Sequence, residues 1–239
     1  MATEDVWTRW GTRVLGLITA TCSVCISILL YVVRGTPAPG DISQALKQHP
    51  EAYTLSLGHM GDLTIQSFAY LRAPLALAGL AFLVGTLACW LGRSRRVYLA
   101  IAVIMVLFIN ASRLALVVFD PYLSSRPLAE VLLQESNGKL IINGEYYAFS
   151  SVFFYTGRTA LLWNGRGNNL EYGSYARGSP SVFIDDRQFQ SLWNSSERYF
   201  VLSDGERISH LRDSVERQKL FLVAESGGKT LYSNLPPTP

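Results

Sequence analysis

The stretch YYAFSSVFFYTGRTALLWNG, residues 146–165, decides how the C-terminal half of this protein folds. Ten of its twenty residues are aromatic or large aliphatic, yet a Gly-Arg pair interrupts it and an Asn-Gly pair ends it. Three structures fit this pattern: a fourth membrane span, a buried helix followed by a strand, or the two strands of a hairpin. The surrounding sequence is needed to choose among them.

The chain of 239 residues consists of two unlike halves. It is 49% hydrophobic and 16% charged, whereas soluble domains carry roughly 25% charged residues. Residues 1–119 hold nine Lys or Arg and five Asp or Glu, while residues 120–239 hold twelve and thirteen. The composition therefore predicts a membrane-embedded first half and a water-soluble second half. The net charge of +3 forms no basic stripe, so nucleic acid is not an expected partner.

Cysteine and histidine patterns predict no metal site. All three cysteines lie in apolar segments, so the charged half has no disulfide framework and no thiolate ligands; they are Cys22, Cys25 and Cys89. We interpret the CSVC spacing as two small apolar fillers of a helix rather than as a redox or zinc motif. His49, His59 and His210 show no ligand spacing, and no cofactor is expected.

Three apolar runs are long enough to cross a membrane, which takes about 20 residues. They cover residues 13–33, 70–91 and 97–119, and aromatic residues lie at their edges, as in an interfacial belt. We expect a cytoplasmic N-terminus over residues 1–12 and a three-helix transmembrane region over 13–119, with an external loop at 34–69. The first run could instead be a cleaved signal peptide, but its length and the lack of a small-residue cleavage site favour an anchor.

The short loop GRSRR between the second and third runs predicts the orientation. It contains three arginines and no acid, and short basic loops stay in the cytoplasm. Everything after Asp120 is then expected to lie outside the cytoplasm.

The opening stretch is too short for a fourth span, because only about a dozen apolar-leaning residues precede Gly157. We expect a buried helix that Gly157 ends, followed by a strand. Strand-like and helix-like segments alternate onward, which predicts an α/β domain with a mainly parallel sheet over residues 120–235 and a tail at 236–239. Residues 166–180 are predicted to be a loop. Asp185 and Asp186 stand where a helix begins, which favours capping over catalysis.

Two arginines and two loop residues are candidate binding groups. Arg113 lies five residues past the middle of the third run, about 7 Å further outward. Either it extends to the outer interface, or Arg72 and Arg113 together bind a lipid phosphate, since charge inside a membrane is often functional. His59 and Asp62 are candidates in the external loop near the membrane.

Several segments resemble, in order, the terminal region of bacterial membrane-embedded (C-type) glycosyltransferases of the protein O-mannosyltransferase and aminoarabinose transferase type. They are PYLSSRPLAEVLLQES, YYAFSSVFFYTGR, LEYG, FIDDRQFQSLW with RYFVLS, and, before the last spans, YTLSLGHMGDLTIQSFAYLRAP. The resemblance implies three transmembrane helices followed by a small α/β periplasmic domain in a bacterial inner membrane. In the aromatic-Gly-Arg element, Tyr155, Gly157 and Arg158 are implied to be structural.

The resemblance also implies an enzyme that transfers a sugar from a polyprenyl-phosphate donor to a periplasmic acceptor. That family has roughly a dozen spans, and its catalytic acids form a pair in the first external loop. Here Asp41, Glu51 and Asp62 occupy the first external loop without such a pair, so no catalytic residue is assigned. We therefore expect the C-terminal portion of such an enzyme, inactive without a partner chain or segment that carries the remaining helices. The alternative is a non-catalytic anchored module that binds a glycan, lipid or protein.

The orientation is tested by a reporter enzyme fused at Pro239. A reporter that works only outside the cytoplasm should be active, because the basic loop holds the second and third helices in one orientation. Activity of a reporter that works only in the cytoplasm would refute this orientation.

Overall fold

A computed structural model describes residues 6–46, 62–91, 94–135, 137–144, 146–167, 169–205 and 207–236 of the chain. The chain divides into two compact units, Met1–Phe119 and Asp120–Pro239. We describe each unit by itself.

The first unit is built on three long apolar helices: α1 (Val6–Val32), α2 (Arg72–Leu91) and α3 (Ser94–Leu123). Within the described residues, these three are long and apolar enough to cross a membrane, over Arg9–Val32, Arg72–Leu91 and Val97–Leu123. The three predicted spans are thus confirmed as helices. The third runs past its expected end at Phe119, because Ser124 N–H still donates to the Asp120 carbonyl at 2.8 Å and closes the turn that contains Pro121.

Small residues allow α1 and α2 to pack closely. A Cβ at Gly85 would lie 3.0 Å from Thr19 Cγ2 and 2.9 Å from Ile104 Cδ1, so Gly85 is in contact with both α1 and α3. One residue further on, Thr86 Oγ1 donates to Thr19 Oγ1 at 3.2 Å. Close backbone approach and interhelical hydroxyl bonds are what hold helices together where no hydrophobic effect acts between them.

The second unit contains a six-stranded sheet in the order β3-β2-β1-β4-β6-β5. Its strands are β1 (Lys139–Asn143), β2 (Ala160–Trp163), β3 (Phe183–Ile184), β4 (Tyr199–Asp204), β5 (Phe221–Ser226) and β6 (Lys229–Ser233). Neighbours from β3 to β4 are parallel, whereas β6 is antiparallel to both β4 and β5. The sheet is therefore mixed, and the predicted parallel character holds for its first four strands only.

Helices cover both faces of this sheet. They are α4 (Arg126–Gln134), α5 (Ser150–Thr156), α6 (Asn169–Ser174), α7 (Asp186–Trp193) and α8 (Arg207–Ser214). Leu140 and Ile142 of β1 point into a core with α4 and α5, while Ile141 points into a second core with α7 and α8. This alternation follows from the two-residue period of a strand.

The opening stretch forms a 3-10 turn (Tyr146–Phe149), then α5 and then β2. Gly157 ends α5 in the left-handed conformation, with φ of 63°, and donates its N–H to the Phe153 carbonyl. The predicted helix-turn-strand is correct. The prediction of a loop over residues 166–180 is wrong where α6 forms, because Leu170 packs on the core and stabilises a helix that lacks an apolar period.

The β5–β6 hairpin holds the last turn of α3, which belongs to the second unit. A Cβ at Gly227 would lie 1.6 Å from the Pro121 carbonyl oxygen. Beside this contact, the buried Lys229 ammonium donates to the Tyr122 carbonyl at 2.9 Å. A cation at the C-terminal end of a helix meets carbonyls that have no helical partner and the negative end of the dipole.

Alanine at Gly227 should destabilise the second unit far more than alanine at Gly157. Both glycines have nearly the same φ, 64° and 63°, but a Cβ at Gly157 meets nothing within 4 Å. The left-handed backbone alone costs about 1–2 kcal/mol, so Gly157→Ala measures that cost and Gly227→Ala adds the clash with Pro121. Thermal unfolding of the full chain in detergent, followed by near-ultraviolet circular dichroism, compares the variants. Equal Tm values would show that the contact does not constrain the fold.

Stability should rise with pH because of Lys229. Burial lowers the pKa of its ammonium from 10.5 to about 8, and the Asp204 charge opposes this only in part. Between about pH 8 and pH 10.5 the Lys229 side chain is protonated in the unfolded chain and neutral in the folded chain. The free energy of unfolding therefore increases as the pH rises through this range, by up to about 3 kcal/mol. The neutral amine still donates to Tyr122. Tm measured from pH 7.5 to 10.5 should therefore rise more in the wild type than in Lys229→Met, and parallel profiles would contradict this.

Candidate functional site

An apolar cleft of about 150 Å³ lies between the first half of α2 and the second half of α3. Small side chains on α3 leave the space, since α3 presents alanines and a serine where α2 presents leucines. The lining residues are Leu71, Pro74, Leu75, Ala78, Phe108, Ala111, Ser112 and Ala115. Phe108 keeps 44% of its surface exposed, so the cleft opens to the outside of the helix bundle.

The chemistry of the lining selects an apolar ligand. Ser112 contributes a hydroxyl to the lining. This hydroxyl donates its hydrogen bond to the Phe108 carbonyl of the same helix at 2.9 Å, so its donor is already used within α3. A long hydrocarbon chain can fill such a cleft without leaving a polar group unpaired.

Arg72 is the first residue of α2 and closes the end of α1. Its Nε donates to the Val33 carbonyl at 3.1 Å, and its Nη2 donates to the carbonyls of Val33 and Thr36. These carbonyls follow the last turn of α1, where a cation is favoured. Much of the donor capacity of Arg72 is therefore used by the backbone, while its neighbour Leu71 lines the cleft.

Arg113 is exposed on α3, directly after the cleft-lining Ser112. The structure places neither predicted arginine in the lining of the cleft; each is the sequence neighbour of a residue that lines it, Leu71 for Arg72 and Ser112 for Arg113. It shows no residue bridging them within the described part of the chain. Of the two, Arg113 is the one whose guanidinium is presented outward.

The loop candidates are placed differently. Asp62 is fully buried, so its carboxylate is not open to a substrate. His59 lies outside the described residues. Asp41 accepts hydrogen bonds from Ser43 and begins a 3-10 turn at Ile42–Ala45. In the part of the chain that the structure describes, no group of three or more His, Cys, Asp or Glu side chains is placed to hold a metal ion.

The aromatic-Gly-Arg element lies at the surface of the second unit. Tyr155 is 43% exposed, and the Arg126 guanidinium lies 5.5 Å from its ring centre. Arg158 is half-buried, and its Nη1 has no hydrogen-bond partner among the described residues. Gly157 is the cap of α5, and the structural role that the resemblance implies for Tyr155 and Arg158 stays a prediction.

Asp185 and Asp186 organise the start of α7. Asp185 accepts from Gln188 N–H at 2.8 Å, and the Gln188 side chain accepts from Asp185 N–H, which completes a capping box. Asp186 accepts from Asn164 Nδ2 and Trp163 Nε1, both at 2.8 Å, and these bonds lower the pKa of its carboxyl. Both carboxylates thus have structural partners, as the capping interpretation expects.

The carboxyl edge of the parallel strands, where α/β sheets often bind ligands, is filled by the protein itself. Strand order reverses between β1 and β4, which marks the usual binding crevice. There Asn143 Nδ2 donates to Ser203 Oγ and to the Arg207 carbonyl, each at 3.0 Å. The Arg207 side chain packs tightly on Gly144, because a Cβ added at position 144 would lie 2.4 Å from Arg207 Nε. Arg207 also pairs with Asp204 at 3.1 Å. Within the part of the chain that the structure describes, we therefore take the α2–α3 cleft as the candidate site.

The cleft-lining residues were not predicted from the sequence. The usable signal is the pattern of small residues on one face of the third span, Ala111, Ser112 and Ala115, opposite the start of the second span. A run of small residues normally indicates close helix packing, so that signal alone does not distinguish a cleft from a contact.

The comparisons with known proteins identify a fold. No family model matches the chain, and no curated protein matches it by sequence. Solved structures that match include ArnT from Cupriavidus metallidurans in the apo state, with a TM-score of 0.58, and the same protein bound to undecaprenyl phosphate, with a TM-score of 0.54. Each is 15% identical to the chain, covers 94% of it, and is itself covered over 38% of its length.

The chain thus spans 38% of the length of the ArnT chain. The resemblance to the aminoarabinose transferase type is confirmed at the level of the fold: three apolar helices and a mixed-sheet α/β unit of this chain are similar to part of ArnT.

Proposed function

We propose that the chain is the C-terminal portion of an integral-membrane glycosyltransferase that uses a polyprenyl-phosphate-linked sugar as donor, and that the α2–α3 cleft holds the polyprenyl chain. The acceptor is extracytoplasmic in this proposal. One observation carries it: the fold over 94% of the chain is similar to that of ArnT, which has been crystallised bound to undecaprenyl phosphate. The apolar, laterally open cleft supports the assignment of the lipid tail.

The orientation proposed from the basic loop places the cleft in the outer half of the membrane. The loop joins the end of α2 to the start of α3, while the cleft is lined by the start of α2 and by residues 108–115 of α3. If the loop is cytoplasmic, a lipid in the cleft has its phosphate at the outer surface. In this proposal Arg113 pairs with that phosphate; its Cα lies ten residues, about 15 Å, before the end of the span at Leu123, so the side chain extends outward to reach it.

Catalysis is proposed to need parts of the transferase fold that this chain does not span. The chain corresponds to 38% of ArnT, and the described residues of its external loop offer a buried Asp62 and a capping Asp41 rather than an exposed acidic pair. In this proposal the chain contributes the lipid groove and an extracytoplasmic domain in the bacterial inner membrane. A partner chain or segment would contribute the remaining helices and the base.

Filling the cleft should weaken binding of undecaprenyl phosphate. Ala111 is 4% exposed and lines the cleft, so Ala111→Phe puts a ring in the space for the tail and should reduce affinity about tenfold, or 1.4 kcal/mol. Arg113→Leu should reduce affinity for undecaprenyl phosphate but not for undecaprenol, which lacks the phosphate. Titration of the purified full chain in detergent, read by native mass spectrometry, measures both.

The matched control is Leu116→Phe, which adds a ring to the same helix at a position that is 63% exposed and not part of the lining. It should bind like the wild type. Equal losses for Ala111→Phe and Leu116→Phe would remove the cleft from the proposal. A wild-type chain that does not bind the lipid would favour the alternative of a module for another ligand, and unchanged binding by Arg113→Leu would leave Arg113 as an interfacial anchor.

A further inference from the structure

The second unit carries an exposed aromatic surface on α5 and the turn before it. Phe154 is 82% exposed, Tyr147 51% and Tyr155 43%. We name these three residues the α5 aromatic patch. The core of the unit is complete without them, since Phe149 and Val152 of the same segment are fully buried.

The patch lies beside the end of a membrane helix. The apolar span of α3 ends at Leu123, which is itself 51% exposed. Two residues further, Ser125 N–H donates to Ser151 Oγ at 2.7 Å, and Ser125 Oγ donates to the Ala148 carbonyl at 3.0 Å. Ser151 precedes Phe154 by three residues and Tyr155 by four, so the three share one face of α5.

A second contact brings Tyr155 to the same place. The Arg126 guanidinium lies 5.5 Å from its ring centre, and Arg126 follows Leu123 by three residues, a chain length that reaches at most about 11 Å. The headgroup layer on each side of the hydrocarbon core is about 5–8 Å thick. The chain from Leu123 to Arg126, at most about 11 Å long, is of the same order as this layer, and the Tyr155 ring lies beyond it against the Arg126 guanidinium.

We propose that the α5 aromatic patch inserts into the headgroup layer of the bilayer that α3 crosses. Tyrosine rings suit this layer because one end is apolar and the other donates hydrogen bonds. Arg126 is 56% exposed beside the patch, and its Nε pairs with Glu130 at 2.7 Å; the remaining N–H groups of its guanidinium can donate to lipid phosphates. The occupant of this surface is lipid, and its contact holds the α/β unit against the membrane. The proposal depends on α3 being a membrane span and not on the transferase function.

Spin labels at matched positions test this contact. The full chain, with Cys22, Cys25 and Cys89 replaced by alanine, is labelled at Phe154→Cys or at the control Tyr172→Cys, and reconstituted into phosphatidylglycerol–phosphatidylethanolamine vesicles. Tyr172 is an aromatic of nearly the same exposure, 84%, on α6. Collision rates with oxygen, which concentrates in the bilayer, and with a water-soluble nickel chelate are measured for each label.

The ratio of oxygen to nickel collisions should be several-fold higher at position 154 than at 172. A label at Tyr155→Cys should give the same result as one at 154, which guards against an effect of one substitution. Equal ratios at 154 and 172 would overturn the proposal, because both positions would then lie in water. Low collision rates with both reagents at 154 would overturn it as well, because the patch would then be covered by protein.

Discussion

The second unit is organised around the last turn of α3, which the β5–β6 hairpin encloses. The Pro121 carbonyl lies where any side chain at position 227 would have to be, and the Lys229 ammonium satisfies the Tyr122 carbonyl in a buried position. On the other side, Ser125 is hydrogen-bonded to α5. Within the second unit, residues 121–125 are therefore contacted from two directions, by the β5–β6 hairpin and by α5 with the turn before it.

This constraint accounts for residues that otherwise look costly. A buried lysine with a lowered pKa and a left-handed glycine both reduce stability taken alone. Here both residues serve the same contact. Gly227 leaves room for the Pro121 carbonyl at the end of α3, and Lys229 donates a hydrogen bond to the Tyr122 carbonyl. The aromatic residues of α5 follow Ala148 and Ser151 closely in sequence, and both of these are hydrogen-bonded to Ser125, two residues past that turn.

Local patterns predicted much of this fold, and the failures occurred where distant segments meet. Helical and strand periods, together with Gly157, predicted α5 and β2. The insertion of β6 beside β4, which makes the sheet mixed, depends on tertiary packing and has no local signal. The same holds for α6, which forms because Leu170 meets the core. At the site, arginines and spans could be recognised from the sequence. The cleft could not, because its volume depends on how closely α2 and α3 approach. Neither could the carbonyl partners of Arg72, which belong to the residues directly after α1.

The central claim is that the α2–α3 cleft holds a polyprenyl chain, and site-directed mapping of a photoreactive lipid tests it most directly. The full chain is irradiated with a polyprenyl phosphate that carries a diazirine on its tail, and the adducts are located by peptide mass spectrometry. Adducts are expected at residues 71–78 and 108–115, and unlabelled undecaprenyl phosphate should compete them away. Adducts spread over the exposed faces of all three helices, and unaffected by competitor, would contradict it.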